Sequence, residues 1–280
     1  MITKLYLENL RIEKWVVKKI DLKFDSNGLE IVTPNECKFL IYFLDYVKDR
    51  GWLSVKKFFE ITADDKTDLS YITIHCDYQD EPLKYISTYD NGKIFSEVIK
   101  LGDNLVAGLD YTEDELTKGI LYWDTLGGPD NFENISGLDA KLLTNTMAGR
   151  RLIQELGSYV LCNFTPDMSL GAIMGRMCYG GKNRIPELNK LYPMFGFDLT
   201  IDKNFEVHPG GSKYGISVTQ EGSGFHHLLE IFTKLMYCKE NNLTLIIPGY
   251  DETLHSIIKP RLKEYLESSG VNIIASSYKE

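Results

Sequence analysis

A few short segments carry residue types that could do chemistry. Gln220-Glu221-Gly222-Ser223-Gly224 runs into an apolar stretch of helical periodicity, which places two glycines and a hydroxyl at a helix N-terminus. Open backbone N–H groups and the positive end of the helix dipole suit such a start to an anion, a phosphate above all. The same residues also make a plain tight turn with Ser223 as a cap, and both readings stand. Thr33-Pro34-Asn35-Glu36-Cys37-Lys38-Phe39 sets a lysine a few residues after an apolar strand. Asp251 and Glu252 form an acidic pair shortly after another strand. Gly180-Gly181-Lys182 and Gly210-Gly211-Ser212-Lys213 look like phosphate loops, but the first lacks a preceding apolar strand and the second fits a hairpin turn.

The remaining candidates are weaker. His226 and His227 are adjacent in a helical stretch, so they point about 100° apart and make a poor metal pair. His75, His208 and His255 have no partner at ligand spacing. Cys37, Cys76, Cys162, Cys178 and Cys238 are widely spaced and form no CxxC pair. Scattered buried thiols in a reducing compartment are therefore expected, and no metal site. The 17 tyrosines are dispersed and do not form a stacking platform.

The elements that must hold these residues follow from hydrophobic periodicity. Residues 3–9 and 15–24 alternate like two strands, and Asp25-Ser26-Asn27-Gly28 signals a turn. Residues 29–32 form a short strand, Thr33-Pro34-Asn35 a loop, and residues 37–48 a helix. Residues 69–98 read as an antiparallel meander with a turn at Asn91-Gly92. Gly127-Gly128-Pro129-Asp130 is loop. Helices are predicted over 139–161 and 184–192, and short strands near 197–201 and 214–218. In the last third, a helix over 222–237, an apolar strand over 243–247, a helix over 254–268 and a strand over 271–275 give the rhythm of an α/β layer fold. The apolar run Leu243–Ile247 suits a parallel strand covered on both faces.

Composition narrows the class. The 280 residues are 43% hydrophobic, enough for one large domain with a substantial core. No run approaches the roughly 20 apolar residues of a membrane span, and the start Met1-Ile2-Thr3-Lys4-Leu5 lacks the apolar core of a signal peptide. A cytoplasmic protein without membrane attachment is expected. The net charge of -9 gives no overall attraction to nucleic acid. A stand-alone nucleic-acid binder would need a basic stripe that this balance does not advertise.

Taken in order, these segments resemble the ABC-type ATPase heads of the SMC, RecF and OLD (overcoming lysogenization defect) group, with the nearest likeness to compact OLD-type members. Ile2, Leu5, Leu7, Asn9 and Arg11 fit the family's opening hairpin. Gln220 to Gly224 followed by Leu228-Leu229 fits its signature motif, and Leu254-His255 fits the element after its acidic strand. The likeness covers both ends of the chain well and the middle loosely.

The resemblance also marks what is missing. A phosphate loop of the form G-x-x-x-x-G-K-[ST] wraps backbone N–H groups around phosphates, brings a lysine to them and gives a hydroxyl to Mg²⁺. In that register Thr33 and Glu36 replace glycines and Phe39 replaces the hydroxyl, while Pro34-Asn35 keep the family's Pro-Asn and Lys38 meets the lysine register with one residue deleted. Pro248-Gly249 stand where the acidic pair would position metal and water, and Ser277 stands where the terminal strand would offer a histidine. Gly222, Ser223 and Gly224 retain the signature, which in the family contacts the γ-phosphate of a nucleotide held by the other subunit of a dimer.

These observations predict a mixed α/β, ABC-ATPase-like fold: an antiparallel N-terminal subdomain on a mostly parallel core sheet. The chain reads as one domain over 1–280, with a mostly helical insertion over 100–195. The resemblance implies a pseudo-ATPase with no catalytic residues of its own. Asn35, Lys38, Gly222, Ser223 and Gly224 remain as nucleotide-binding candidates, and ATP would bind only in trans with a partner. A homodimer, or a heterodimer with an intact ATPase in a phage or anti-phage defence complex, is the implied setting. The competing expectation is an active OLD- or SMC-type ATPase coupled to DNA processing, which would need Lys38 and Asp251-Glu252 to work in unusual geometry.

Overall fold

The computed structural model describes residues 2–12, 15–23, 28–50, 58–59, 69–78, 81–90, 94–112, 115–121, 130–132, 147–162, 164 and 169–277. The first strands are β1 (Ile2–Ile12), β2 (Trp15–Lys23) and β3 (Leu29–Val32), followed by helix α1 (Pro34–Arg50). Six strands come next: β4 (Ser70–Tyr78), β5 (Glu81–Asp90), β6 (Ile94–Leu101), β7 (Asn104–Thr112), β8 (Glu115–Leu121) and β9 (Asp130–Phe132). Then come α2 (Met147–Leu156), β10 (Tyr159–Leu161), α3 (Leu170–Met177) and α4 (Ile185–Leu191). Strands β11 (Leu199–Ile201), β12 (Glu206–Pro209) and β13 (Ile216–Ser217) precede α5 (Ser223–Asn241), β14 (Thr244–Ile247), α6 (Ile258–Glu267) and β15 (Ile273–Ser276).

Two compact units divide the chain, one of residues 1–25 and 38–158, the other of 26–37 and 159–280. The first is built on an eight-stranded sheet in the order β2-β1-β4-β5-β6-β7-β8-β9, with antiparallel pairing throughout. Period-two alternation makes one face apolar: Leu5 and Leu7, Ile20 and Leu22, Ile72 and Ile74, and Leu83 and Tyr85 are all buried. Asn9 sits at φ 56°, and the buried face passes from Leu7 to Leu10 across it. Its side chain donates to Leu69 O at 2.7 Å, and Asn is one of the few residues besides glycine that visit this left-handed conformation. The inner part of α1 supplies Phe39, Phe43 and Tyr46 around Phe58, with ring centroids 5.1 to 6.4 Å apart. Glu97 lies on the buried face opposite Ser87, and desolvation pushes its carboxyl up to about 8 against a bond from Tyr85.

The second unit contains the parallel sheet, in the order β10-β14-β15-β3. Leu245, Ile246 and Ile247 are fully buried, as a strand covered on both faces requires. The helix α5 is buried along most of its length. Within it the Glu230 carboxylate bonds Lys234 at 2.6 Å and Arg176 at 3.2 Å, and Lys234 also donates to Leu161 O. Arg184, almost wholly buried, forks onto Glu240 at 2.7 and 2.9 Å. β11, β12 and β13 form a small antiparallel sheet, so the described residues have the mixed α/β layout expected, with antiparallel sheets and a parallel sheet.

Several local expectations change. The sequence predicts a mostly helical insertion over 100–195, yet β7, β8 and β9 extend the antiparallel sheet within it; among the described residues after β9 the next helix begins at Met147. The alternation Leu105, Ala107, Leu109, Tyr111 has the period of a strand. The predicted helix over 139–161 is α2, which stops at Leu156 because Gly157-Ser158 breaks it before β10; residues 139–146 lie outside the described residues. Thr33-Pro34-Asn35 is not a loop, since α1 starts at Pro34. The turns at 25–27, 91–92 and 127–129 also fall outside the described residues. Cys37, Cys76, Cys162 and Cys238 are buried free thiols, as expected, and Cys178 is half-buried. Among the described residues, no helix is long and apolar enough to cross a membrane.

Candidate functional site

Parallel pairing sets three segments side by side. Val32 of β3 lies opposite Ser276 of β15, and Ala275 of β15 opposite Ile247 of β14. The carboxyl ends of these strands therefore align Thr33–Cys37, Pro248–Asp251 and Ser276–Ser277. That edge is where open α/β sheets bind ligands.

At the first segment, Thr33 is the single residue between β3 and α1. Its Oγ1 accepts the Glu36 N–H at 3.3 Å, and the Glu36 carboxylate accepts the Thr33 N–H at 2.8 Å. This reciprocal pair is a capping box, with Pro34 supplying a preset φ at the first helical position. The Glu36 charge also complements the helix dipole. Asn35 and Lys38 are exposed on the first turns. Cys37 is buried beside Ser276; burial pushes its thiol up to about 11, and the Ser276 bond opposes that. The sequence held the signal for this arrangement, because Thr33-x-x-Glu36 before an apolar helix is a capping box at sight.

At the second segment, Gly249 has φ 61°, a backbone that favours glycine, and its N–H donates to Ser276 Oγ at 3.0 Å. Tyr250 N–H donates to Ser276 O. Asp251 is buried and already engaged: Ser277 Oγ donates to it at 3.1 Å and Lys259 Nζ at 3.3 Å. Glu252 is exposed. Asp251 thus ties the end of β15 to the turn after β14.

The start of α5 is built differently. Gly222 is the N-cap, no side chain caps the helix, and Ser223 is the exposed first helical residue. Ser223 is therefore not the cap that the sequence suggested as one reading. Phe225 and His226 N–H groups return to Gly222 O, while the geometry of a helix start leaves the N–H groups of Ser223 and Gly224 without helical partners. Nothing lies within 4 Å of a Cβ placed on Gly222, whereas one on Gly224 would meet Thr253 O at 3.2 Å. The glycine at 224 lets the helix start close onto the 253–254 backbone. His227 fixes the same contact: its Nδ1 is 2.7 Å from Thr253 Oγ1, and its ring stacks on Phe164 with centroids 3.6 Å apart. Burial lowers the His227 pKa to about 4, against a bond to the Tyr250 backbone and the Asp251 charge.

The other candidates find ordinary places or new neighbours. Gly180-Gly181 form a 3-10 turn after α3, and Lys182 pairs with Glu240 at 2.8 Å. Gly210-Gly211 make the hairpin turn between β12 and β13, as expected. His208, given no partner from sequence spacing, lies with Asp202 and Glu206. Glu206 and His208 alternate on β12 and so share one side of it, and the turn from β11 brings Asp202 alongside them.

No family model matches the chain, and no curated protein sequence does. Solved structures do. An SMC head bound to the C-winged helix domain of ScpA matches with a TM-score of 0.51 and 10% identity, over 100% of this chain and 90% of that one. The SMC head domain from Thermotoga maritima matches at 0.50 and 14% identity, over 99% and 89% of the two chains. A structure of the recombination mediator RecF with ATP reaches a TM-score of only 0.35 at 12% identity over 100% and 94%, too slight a likeness to bear on the fold. This chain has the ABC-ATPase-like fold of SMC heads.

Proposed function

We propose that this protein is an ATPase-head-like subunit that does not hydrolyse ATP by itself and acts through protein contacts. One observation carries the proposal: the β3–α1 junction is one residue long and is closed by the Thr33–Glu36 capping box. A phosphate cradle needs several converging N–H groups and no carboxylate among them. Here a carboxylate already takes the Thr33 N–H. Pro248-Gly249 in place of an acidic pair, and an Asp251 engaged by Ser277 and Lys259, support the same reading.

The start of α5 supports a role in trans. Gly222, Ser223 and Gly224 present an uncapped helix N-terminus, and exposed Ser223 offers a hydroxyl to a phosphate held by another subunit. An SMC head that carries a winged-helix domain of another protein gives a precedent for partner binding on this fold. A phage or anti-phage defence setting rests on the OLD-like sequence resemblance. The test is an ATPase assay of the purified chain with Mg²⁺. The reading expects no turnover above the buffer rate, and turnover abolished by Lys38→Ala would overturn it.

A further inference from the structure

A second site lies on the small sheet of β11, β12 and β13, away from the parallel-strand ends. Asp202 closes β11, while Glu206 and His208 project from β12 at alternate positions. One ligand atom from each residue lies within 4.8 Å of the other two. His208 Nε2 is 3.5 Å from Asp202 Oδ2. Two ligand atoms on a tetrahedral ion with bonds of about 2.1 Å sit about 3.4 Å apart.

Three features point to a cation and not to a chance meeting of surface charges. First, among the described residues, no lysine or arginine pairs with Asp202 or Glu206. Asp202 Oδ2 accepts a bond from Asn204 Nδ2 at 3.2 Å and otherwise faces the His208 ring, so no lysine or arginine charge offsets the two carboxylates. Second, His208 Nδ1 donates to Ser212 O at 3.1 Å, which turns Nε2 toward Asp202 Oδ2, 3.5 Å away. A backbone carbonyl holding the far ring nitrogen is the usual support of a metal-bound histidine. Third, the carboxylates are positioned. Asp202 Oδ1 accepts the N–H groups of Asn204 and Glu206, both at 2.9 Å, across a turn in which Phe205 is held at φ 61°. Glu206 is folded against Gly215 so closely that a Cβ there would meet its Oε2 at 2.7 Å and His208 Cε1 at 2.8 Å.

We propose that Asp202, Glu206 and His208 bind one divalent transition-metal ion, Zn²⁺ or Mn²⁺. Two carboxylates with one imidazole suit a borderline ion and give Mg²⁺ little advantage. The solvent-facing side leaves room for water to complete the coordination.

The test is calorimetric titration of the metal-stripped, tag-free chain with ZnCl₂ and MnCl₂, with MgCl₂ for comparison. The proposal expects saturable binding of one Zn²⁺ or Mn²⁺ per chain at micromolar concentration. It expects His208→Gln and Asp202→Asn each to weaken binding at least about tenfold, the scale on which ligand shells act. Absence of saturable binding, or binding unchanged in both variants, would overturn it. Should either variant fold poorly, the wild-type chain still decides. The His208 ring resonances must shift on Zn²⁺ addition, and resonances that stay in place at saturation sink the proposal.

Discussion

Two helix starts in the second unit, residues 34–37 of α1 and the first turn of α5, are built in opposite ways. The start of α1 is closed by its own side chains, with Thr33 and Glu36 satisfying each other's N–H groups within one turn. The start of α5 has glycine as its cap and no side chain over its N–H groups, and it gains order from outside, through Gly224 against Thr253 and His227 on Thr253 Oγ1. A helix N-terminus is an anion site only while its donors stay open. In this chain the start that would hold a nucleotide in cis is shut, and the start that would touch one in trans is open.

The largest effect that could break this contrast is a pH effect on α5. His227 titrates near 6.5 in an unfolded chain and near 4 when folded. Between these values the unfolded state binds the extra proton, so stability rises with pH there. It is fully present above about 6.5 and is lost as pH falls toward 4, by on the order of 3 kcal/mol. Urea denaturation at pH 7, 5.5 and 4.5 measures this, and His227→Gln must flatten the profile. A wild-type profile already flat would mean that the ring does not pack at the α5 start.

Next in size is Gly224→Val, which drives a branched side chain at Thr253 O and should cost about 2 kcal/mol as overpacking. Thr33→Ala removes half of the capping box and should cost about 1 kcal/mol, read as a lowered denaturation midpoint. The smallest effect has the opposite sign. Gly222→Ser gives α5 the side-chain cap it lacks, into open space, and should stabilise by a few tenths of a kcal/mol. A destabilising Gly222→Ser would show that the α5 start is not open after all.

Much of this was legible in the sequence, for physical reasons that differ by region. The strands β3, β14 and β15 are short apolar runs bounded by turns, and periodicity finds them within a residue or two. The eight-stranded sheet was read only as far as β6, because Gly108, Gly119 and polar residues dilute the alternation in β7 and β8. At the site, Asn35 and Lys38 were placed by motif register alone. The structure adds that Glu36, read from the sequence only as standing in for a glycine, is a working cap. The Asp202, Glu206 and His208 group was passed over because histidine was weighed against other histidines and cysteines, and not against a carboxylate two positions back on its strand and another across the preceding turn.

The central claim is that the α1 start cannot take a nucleotide, and calorimetric titration of the chain with ATP and Mg²⁺ tests it most directly. The account predicts no saturable heat up to millimolar ATP for the wild-type chain. Binding at micromolar Kd that is lost in Lys38→Ala would contradict it, and would mean that the Thr33–Glu36 pair opens to admit phosphate.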